Sequence, residues 1–228
     1  MRKIIAGAFL SLDGVMQGPG GPEEDTSGGF ALGGWTVPFW DDAIAGAMGE
    51  SFASPFDLLL GRKTYDIFAA HWPHVPTDPS APGYDADSVE ISNVFNGVTK
   101  HVASRSKPDF AWQNSEWLGD DTVAAVRALK QGDGPDILTQ GSSDLLQTLI
   151  AADLVDAFRL LIYPVVLGKG KRLFGDGAIP AGLKATKSLV SPSGVIVATY
   201  ERDGDVRTGS FALDTPTDAE IERRRNID

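Results

Sequence analysis

No cysteine occurs anywhere in the sequence, and histidine is almost as scarce. The absence of cysteine excludes disulfides, thiolate metal sites and a cysteine nucleophile. The only histidines are His71, His74 and His101, and their spacing matches no common metal-ligand pattern. We therefore expect no metal site, and any acid–base chemistry would fall to carboxylates, tyrosine or water.

Positive charge and long apolar runs are also limited. The 228 residues contain 20 Lys and Arg against 31 Asp and Glu, a formal net charge of −11. This balance argues against nucleic acid or an anionic membrane surface as the main partner, although local backbone amides can still bind a phosphate. No run approaches the roughly 18 apolar residues of a membrane span, and residues 4–10 lead into a turn without a signal-peptide cleavage pattern. We expect a cytoplasmic protein.

The sequence does contain apolar runs that alternate with helical patterns. Strands are predicted at residues 4–10, 56–60, 98–104, 137–139 and 158–166, and a hairpin at 183–189 and 195–200. Helices are predicted at residues 38–52, 62–71, 120–131 and 141–150. This alternation predicts an α/β fold of three layers: a mainly parallel central sheet, helices on both faces and an antiparallel C-terminal hairpin.

The remaining segments have no clear periodicity. Residues 17–34 are rich in glycine, proline and acids and predict a long mobile loop, and residues 73–88 predict a surface excursion. Residues 207–213 could add an edge strand, and a capping box at Thr217 predicts a short charged helix. We therefore predict one domain at 1–202, followed by an edge strand and charged tail at 203–228.

Three predicted strand ends carry residues suited to an anionic ligand. Ligands of open α/β sheets gather where the carboxyl ends of strands meet helix N-termini. The three segments are Gly61-Arg62-Lys63-Thr64, Ser104-Arg105-Ser106 and Gly141-Ser142-Ser143. Each has a simpler explanation: solvated cations for the first, a polar loop for the second, and helix N-capping by a serine for the third. No G-x-G-x-x-G, P-loop or nucleophile-elbow motif is present.

Two aspartates are candidates for acid–base work. Asp13 follows the first predicted strand, and Asp41 lies at the start of the first predicted helix. Asp13 could equally be a turn residue in Asp-Gly, and Asp41 could simply complement the helix dipole.

Several ordered motifs resemble a known family. They are Ser11-Leu12-Asp13-Gly14, residues 59–65 (LLGRKTY), Trp72-Pro73, residues 100–104 (KHVAS), 141–143 (GSS), 154–156 (LVD) and 164–174 (PVVLGKGKRLF). Their order and spacing resemble the dihydrofolate-reductase-like family, which includes the reductase domain of the bifunctional riboflavin-biosynthesis deaminase–reductase. The stand-alone bacterial members are the most similar, and the resemblance runs from residue 3 to about residue 200.

The resemblance implies an NADPH-dependent reductase, as a homodimer, that transfers a hydride to a small planar C=N or C=O substrate. The cofactor contacts that we predict are Ala8, Gly61, Arg62, Lys63, Thr64, Ser104, Arg105, Ser106, Gly141, Ser142, Ser143, Leu167 and Gly168. The substrate would stack on the nicotinamide under the 17–34 loop, with Asp13 or Asp41 donating the proton or positioning a water. Three tryptophans could line the substrate pocket or belong only to the hydrophobic core: Trp35, Trp40 and Trp72.

The sequence also departs from the family pattern. Val15 stands where riboflavin reductases usually have lysine, and Gln140-Gly141-Ser142 replaces their common Glu-Gly-Gly. Asp41 falls one position later than the acid that follows Trp-x-x-Pro in dihydrofolate reductases, and we expect no zinc deaminase domain, because a chain without cysteine cannot supply its ligands. Two alternatives stay open: a true riboflavin-pathway reductase fed by a separate deaminase, and a degenerate member that binds a nucleotide without turnover.

Overall fold

The computed structural model describes residues 1–175 and 178–227, and within them the chain forms eight strands and six α-helices. The strands are β1 (Ile4–Ser11), β2 (Phe56–Gly61), β3 (Lys100–Ala103), β4 (Ser115–Trp117), β5 (Asp136–Gln140), β6 (Ala157–Tyr163), β7 (Leu183–Val190) and β8 (Ile196–Arg202). The helices are α1 (Asp42–Phe52), α2 (Arg62–His71), α3 (Ala86–Gly97), α4 (Thr122–Gln131), α5 (Ser143–Ala151) and α6 (Asp218–Arg225). None of these helices is long and apolar enough to cross a membrane.

All eight strands belong to one sheet, in the order β4-β3-β2-β5-β1-β6-β8-β7. The pairs from β4 to β6 are parallel, whereas β8 runs antiparallel to both β6 and β7. Central strands of a parallel sheet are covered on both faces, which explains why β1 reads as an unbroken apolar run. The predicted α/β fold with an antiparallel C-terminal hairpin is confirmed.

The core lies on both faces of this sheet. Ile4, Ala6 and Ala8 of β1 pack on one face with Leu146 and Leu149 of α5. The alternate residues face the other side, where Phe9 packs near Ile44 and Met48 of α1. Fully burying a leucine or isoleucine contributes roughly 1.5–3 kcal/mol, so these two apolar layers hold α1 and α5 in fixed positions over the central strands.

The first helix starts later than the sequence predicts. Residues 37–39 form a separate 3-10 turn with Pro38 in its first turn, and Trp40 is extended. The α-helix begins only after Asp41, whose side chain accepts a hydrogen bond from the Ile44 amide at 3.0 Å. The prediction of one helix over 38–52 is therefore wrong at its start, because the proline belongs to the turn and the aspartate caps the helix.

Two elements escaped the sequence analysis. The helix α3 covers part of the predicted 73–88 excursion, and Asp85 caps it by accepting from the Ser88 amide at 2.8 Å. The strand β4 has only three residues and pairs with β3 at the edge of the sheet. Short edge strands carry too little apolar periodicity to be recognised from sequence alone.

The tail also differs from the prediction. Residues 207–213 form no strand, and Phe211 among them is fully exposed. An edge strand needs a neighbour to pair with and a surface for its apolar side chains, and this segment has neither in the described chain. The short charged helix is present as α6, capped by Thr217. The domain division after residue 202 stays a prediction.

The 17–34 segment, predicted as a mobile loop, is tied to the rest of the domain. The Gln17 side chain donates to the Asp25 and Ser27 carbonyls at 3.1 and 2.9 Å. Lys171 joins it through an ion pair with Asp25 at 2.6 Å. The Trp35 indole donates to the Gln17 carbonyl at 2.9 Å. The contacts of Gln17 and Trp35 hold the segment together, and Lys171 ties its middle to the loop after β6.

Candidate functional site

The fold brings the three glycine- and serine-rich segments to one edge of the sheet. We call residues 61–64, 104–106 and 141–143 the strand-end edge. Their strands β2, β3 and β5 are parallel neighbours, so their carboxyl ends lie side by side. The Ser142 hydroxyl accepts from the Gly61 amide and donates to the Thr64 hydroxyl, each at 2.7 Å. One serine therefore joins two of the three segments directly.

Both helices that start at this edge lack a side-chain cap. No described side chain caps the N-terminus of α2 or α5. The other four helices are capped, by Asp41, Asp85, Asp121 and Thr217. The capping explanation for Ser142 is therefore not what the structure shows, because its hydroxyl bonds to Gly61 and Thr64. Two sets of amide donors and two positive helix ends remain open at the strand-end edge.

The close contact between these segments depends on backbone features. A Cβ on Gly61 would lie 2.9 Å from the Cβ and the hydroxyl of Ser142, so no side chain fits there without movement. Gly141 and Ser142 have φ values of 73° and 68°, in the left-handed region. A non-glycine residue held there costs on the order of 1 kcal/mol, and such strain is often found at functional sites.

The cations of the edge differ in how they are engaged. Arg62 is exposed and binds both carboxylate oxygens of Asp66 at 2.8 Å. Lys63 and Arg105 are exposed, and neither forms an ion pair within residues 1–175 and 178–227. A lysine in the first turn of a helix is unfavourable unless an anion compensates it. Lys63 and Arg105 are therefore free to bind a ligand, and Arg62 can do so by leaving an exposed ion pair of small energy.

A cleft adjoins the strand-end edge on the α1 side of the sheet, and we call it the β1 cleft. Its accessible volume is about 10 Å³, room for about one water molecule. Its lining comes from the middle strands and from α1: Gly7, Ala8, Phe9, Met48, Ser51, Leu138, Gln140, Arg159 and Leu161. The Gly141 amide donates to the Gly7 carbonyl at 3.0 Å, so the floor of the cleft continues into the strand-end edge. Ala8 lines this cleft.

Asp13 is surrounded by donors. Its carboxylate accepts from the Ser11 hydroxyl at 2.7 Å and from the amides of Leu167 and Gly168 at 3.0 and 2.9 Å. Arg172 adds a weak ion pair at 3.4 Å. These hydrogen bonds, led by that of Ser11, lower the pKa of Asp13 to about 2. Asp13 is therefore ionised at neutral pH and holds the 167–168 turn, whose two amides are already used.

Asp41 is engaged in a similar way. Burial would raise its pKa, but hydrogen bonds from the amides of Ile44 and Ser193 and from nearby serine hydroxyls outweigh burial and lower the pKa to about 2. The Ser193 amide, in the turn between β7 and β8, lies 3.0 Å from the second carboxylate oxygen. Asp41 therefore caps α1 and ties it to that turn, which is the helix-dipole explanation of this residue.

The three candidate tryptophans do not come together. None is among the nine described residues that line the β1 cleft. Trp35 is buried and packs edge-to-face on Tyr163, with ring centroids 5.4 Å apart. Trp72 packs against Phe95 between α2 and α3, whereas Trp40 is exposed. The hydrophobic-core explanation therefore describes Trp35 and Trp72.

Two polar residues of the cleft escaped the sequence analysis. Arg159 lies in the middle of β6, and its guanidinium donates to the Ser51 carbonyl at 3.0 Å. Gln140 ends β5, and its amide nitrogen lies beside Gly7. The signal for Arg159 was present, because a charged residue interrupts an otherwise apolar strand that is covered on both faces.

The histidines do not assemble a metal site. His101 contacts Asp57 at 3.3 Å and Glu116 at 3.6 Å, next to the ion pair of Arg2 with Asp57. Across the described ranges, no group of three or more His, Asp or Glu side chains is arranged to hold a metal ion.

Comparison with known proteins gives one family. Residues 2–197 match the model of the RibD C-terminal domain. The uncharacterized protein YyaP of Bacillus subtilis (strain 168) is 30% identical over 204 residues, covering 89% of this chain and 96% of YyaP. The uncharacterized protein YwjB of the same organism is 23% identical over 190 residues, covering 82% of this chain and 92% of YwjB.

Solved structures show the same fold at low identity. A Shewanella sp. PV-4 protein described as a riboflavin biosynthesis protein superposes with a TM-score of 0.55 at 18% identity, covering 88% of this chain and 99% of its own. A dihydrofolate reductase of Enterococcus faecalis, solved with NADP(H), gives 0.52 at 14% identity, covering 88% and 96%. A pyrimidine reductase-like protein of Corynebacterium diphtheriae gives 0.52 at 15% identity, covering 90% and 93%.

Proposed function

Because this chain belongs to the RibD C-terminal domain family, we propose that it is an NADPH-dependent reductase of a small planar C=N or C=O compound. The observation that carries the proposal is the pair of uncapped helices, α2 and α5, whose N-termini meet at Ser142 beside the β1 cleft. The expected dihydrofolate-reductase-like fold is shared with the Enterococcus faecalis enzyme, which was solved with NADP(H).

The residues of the strand-end edge fit a dinucleotide phosphate. Open amides at the start of α2 and α5 would hold the pyrophosphate, since they are uncapped donors at positive helix ends. Lys63 and Arg105 would hold the 2′-phosphate, and Arg62 would join them by leaving Asp66. Gly61 has no side chain, which keeps the backbone of α2 and α5 close together. When bound, NADPH supplies a hydride to the carbon of the substrate's double bond.

The β1 cleft would hold the substrate once the side chains that line it move apart, because it opens directly beside the strand-end edge. The proton for the substrate heteroatom would come from water in this cleft. Asp13 and Asp41, whose pKa values are both lowered to about 2, carry no proton to donate at neutral pH. We assign Asp13 a positioning role, holding the turn at Leu167 and Gly168 beside β1.

The first test measures cofactor binding through energy transfer from tryptophan to NADPH. We expect the double variant Lys63→Ala/Arg105→Ala to bind NADPH at least about tenfold more weakly, because charge-assisted hydrogen bonds contribute roughly 1.5–3 kcal/mol each. Its preference for NADPH over NADH should shrink in parallel. The control is Lys184→Ala/Arg127→Ala, which removes two exposed cations from β7 and α4. Unchanged NADPH affinity in Lys63→Ala/Arg105→Ala would contradict the proposed cofactor site.

A second candidate function is nucleotide binding without turnover. The engagement of both candidate acids in structural hydrogen bonds favours it. NADPH oxidation should be followed with pterins, pyrimidines and simple carbonyl compounds as acceptors. Turnover of any acceptor supports the reductase, whereas tight NADPH binding without any turnover favours the binder. The homodimer stays a proposal that light scattering can test.

A further inference from the structure

Three residues form a row across the floor of the β1 cleft. Gly7 of β1 pairs with Gln140 of β5 on one side and with Arg159 of β6 on the other. Paired residues point to the same face of a sheet, so both side chains stand on the α1 side. Because neighbouring strands lie about 4.8 Å apart, the two side chains start about 10 Å apart, with the side-chain-free Gly7 between them. The Gln140 side chain reaches over Gly7 into this gap.

The gap has no room for a side chain on Gly7. A Cβ on Gly7 would lie 2.7 Å from the Thr139 carbonyl oxygen and 3.3 Å from the Gln140 amide nitrogen. The first distance is to a backbone atom, which cannot move aside cheaply in the middle of a sheet. Glycine is therefore required at position 7, and the Gln140 amide lies over it.

Arg159 differs from the other sheltered cations of the described chain. Five Lys and Arg residues are buried or half-buried, and three of them pair with carboxylates: Arg2 with Asp57, Lys130 with Asp156, and Lys171 with Asp25. The fourth, Lys100, donates to two carbonyls and lies over the Trp112 ring.

The fifth, Arg159, has a single hydrogen bond, to the Ser51 carbonyl, and no ion pair in the part of the chain that the structure describes. Arginine cannot lose its charge in a protein, and its planar fork matches a carboxylate with two parallel hydrogen bonds. A half-buried guanidinium without a carboxylate is unusual, above all in a protein with a net charge of −11. Arg159 lines the cleft.

We infer that Arg159 recognises a carboxylate on the substrate, with the Gln140 amide, which lies over Gly7, as a second hydrogen-bonding partner. This inference rests on the proposed function, because it takes the β1 cleft to be the substrate site. It narrows the substrate class to planar heterocycles or carbonyl compounds that carry a carboxylate.

The test compares matched pairs of probes that differ only in the carboxylate: orotate with uracil, and pterin-6-carboxylate with pterin. Binding is measured by calorimetry on the full chain, with and without NADPH. We expect the parent to prefer at least one carboxylate over its neutral partner by about tenfold or more. Arg159→Gln should remove the preference, and Arg159→Lys should keep part of it because the charge remains without the planar fork.

The matched control is Arg127→Gln, since Arg127 also donates to one backbone carbonyl but lies exposed on α4. It should keep the full preference. A parent that shows no preference in either pair, or an Arg159→Gln variant that keeps it while remaining folded by circular dichroism, overturns the inference. NADPH affinity is read separately: normal NADPH binding without the carboxylate preference defeats the role of Arg159 alone, whereas loss of NADPH binding in the parent defeats the proposed function.

Discussion

The strand-end edge and the two aspartates, Asp13 and Asp41, lie at the same end of the sheet but differ in how their polar groups are used. At the edge, two helix N-termini are uncapped and two cations have no described ion-pair partner. At the aspartates, both carboxylates are saturated by backbone amides and hydroxyls. Residue type alone therefore does not make a residue functional. The residue must also have hydrogen-bond donors or acceptors that the fold leaves unused.

The largest effect should come from placing a carboxylate at the strand-end edge, as Asp41 does at the start of α1. Ser142→Asp places a carboxylate between Gly61 and Thr64 at the uncapped start of α5, where it would repel a phosphate. We expect NADPH affinity to fall about a hundredfold, equivalent to about 2.8 kcal/mol. The melting temperature should not rise, because the serine hydroxyl that bridges Gly61 and Thr64 is lost. Ser142→Ala, which removes the hydroxyl without adding charge, should lose much less affinity. Equal affinities of the two variants would mean that α5 does not face a phosphate.

A smaller effect is expected from the opposite change at α1. Asp41→Ala removes the cap and the tie to Ser193, and should lower the free energy of unfolding by about 1–2 kcal/mol in urea titrations. NADPH affinity should stay within about twofold of the parent. Asp41→Asn keeps an acceptor for the Ile44 amide and should retain most of the stability. A catalytic acid would behave differently, because Asp41→Asn would then lose turnover while remaining stable.

The structural role of Asp13 should be visible in the pH dependence of the protein's stability. Its pKa in the folded protein, about 2, lies below the unfolded value near 3.8, so the ionised carboxylate stabilises the fold at pH above about 4. That stabilisation is lost as the pH falls through 4 towards 2. Asp13→Asn should therefore be less stable near pH 6 by on the order of 1 kcal/mol, and it should depend less on pH between 4 and 2. Acid unfolding followed by circular dichroism measures both effects, and an unchanged acid slope would contradict this role.

The smallest effect belongs to Arg62. Its ion pair with Asp66 is exposed and joins positions i and i+4 of α2, so it contributes only about 0.3–0.5 kcal/mol. Arg62→Ala should lower NADPH affinity by about twofold, well below the effect of Lys63→Ala/Arg105→Ala. If Arg62→Ala proves the more damaging variant, the cations of the edge have been ranked incorrectly.

The sequence was sufficient for the parts of this protein that depend on local pattern. Buried strands such as β1 and β2 are continuous apolar runs, and parallel order follows from their alternation with helices. Since parallel strands end at one edge, the sequence predicted that the segments of Gly61 and Ser142 lie at that edge, and the structure shows that they also meet. The family resemblance, which the RibD C-terminal domain match confirms, rested on the same motifs.

What the sequence could not reveal depends on contacts between distant residues. Asp13 is saturated by amides 154 and 155 positions away, so its availability could not be judged from the Asp-Gly turn. The row of Gln140, Gly7 and Arg159 exists only once the registers of three strands are known. The start of α1 was misjudged because Pro38 and Asp41 give two competing start signals within four residues.

The hydroxyl of Ser142 also determines the direction of the hydrogen bonds between Gly61 and Thr64. A backbone amide can only donate, so the Gly61 N–H must point at Ser142, and the single hydroxyl proton of Ser142 then goes to Thr64. Thr64 receives that proton on its oxygen and has its own proton left to point away from the pair. This arrangement leaves the outermost hydroxyl with a proton that it can donate to an incoming oxygen. The strand-end edge thus offers an anion a hydroxyl donor in addition to its lysine and arginine side chains.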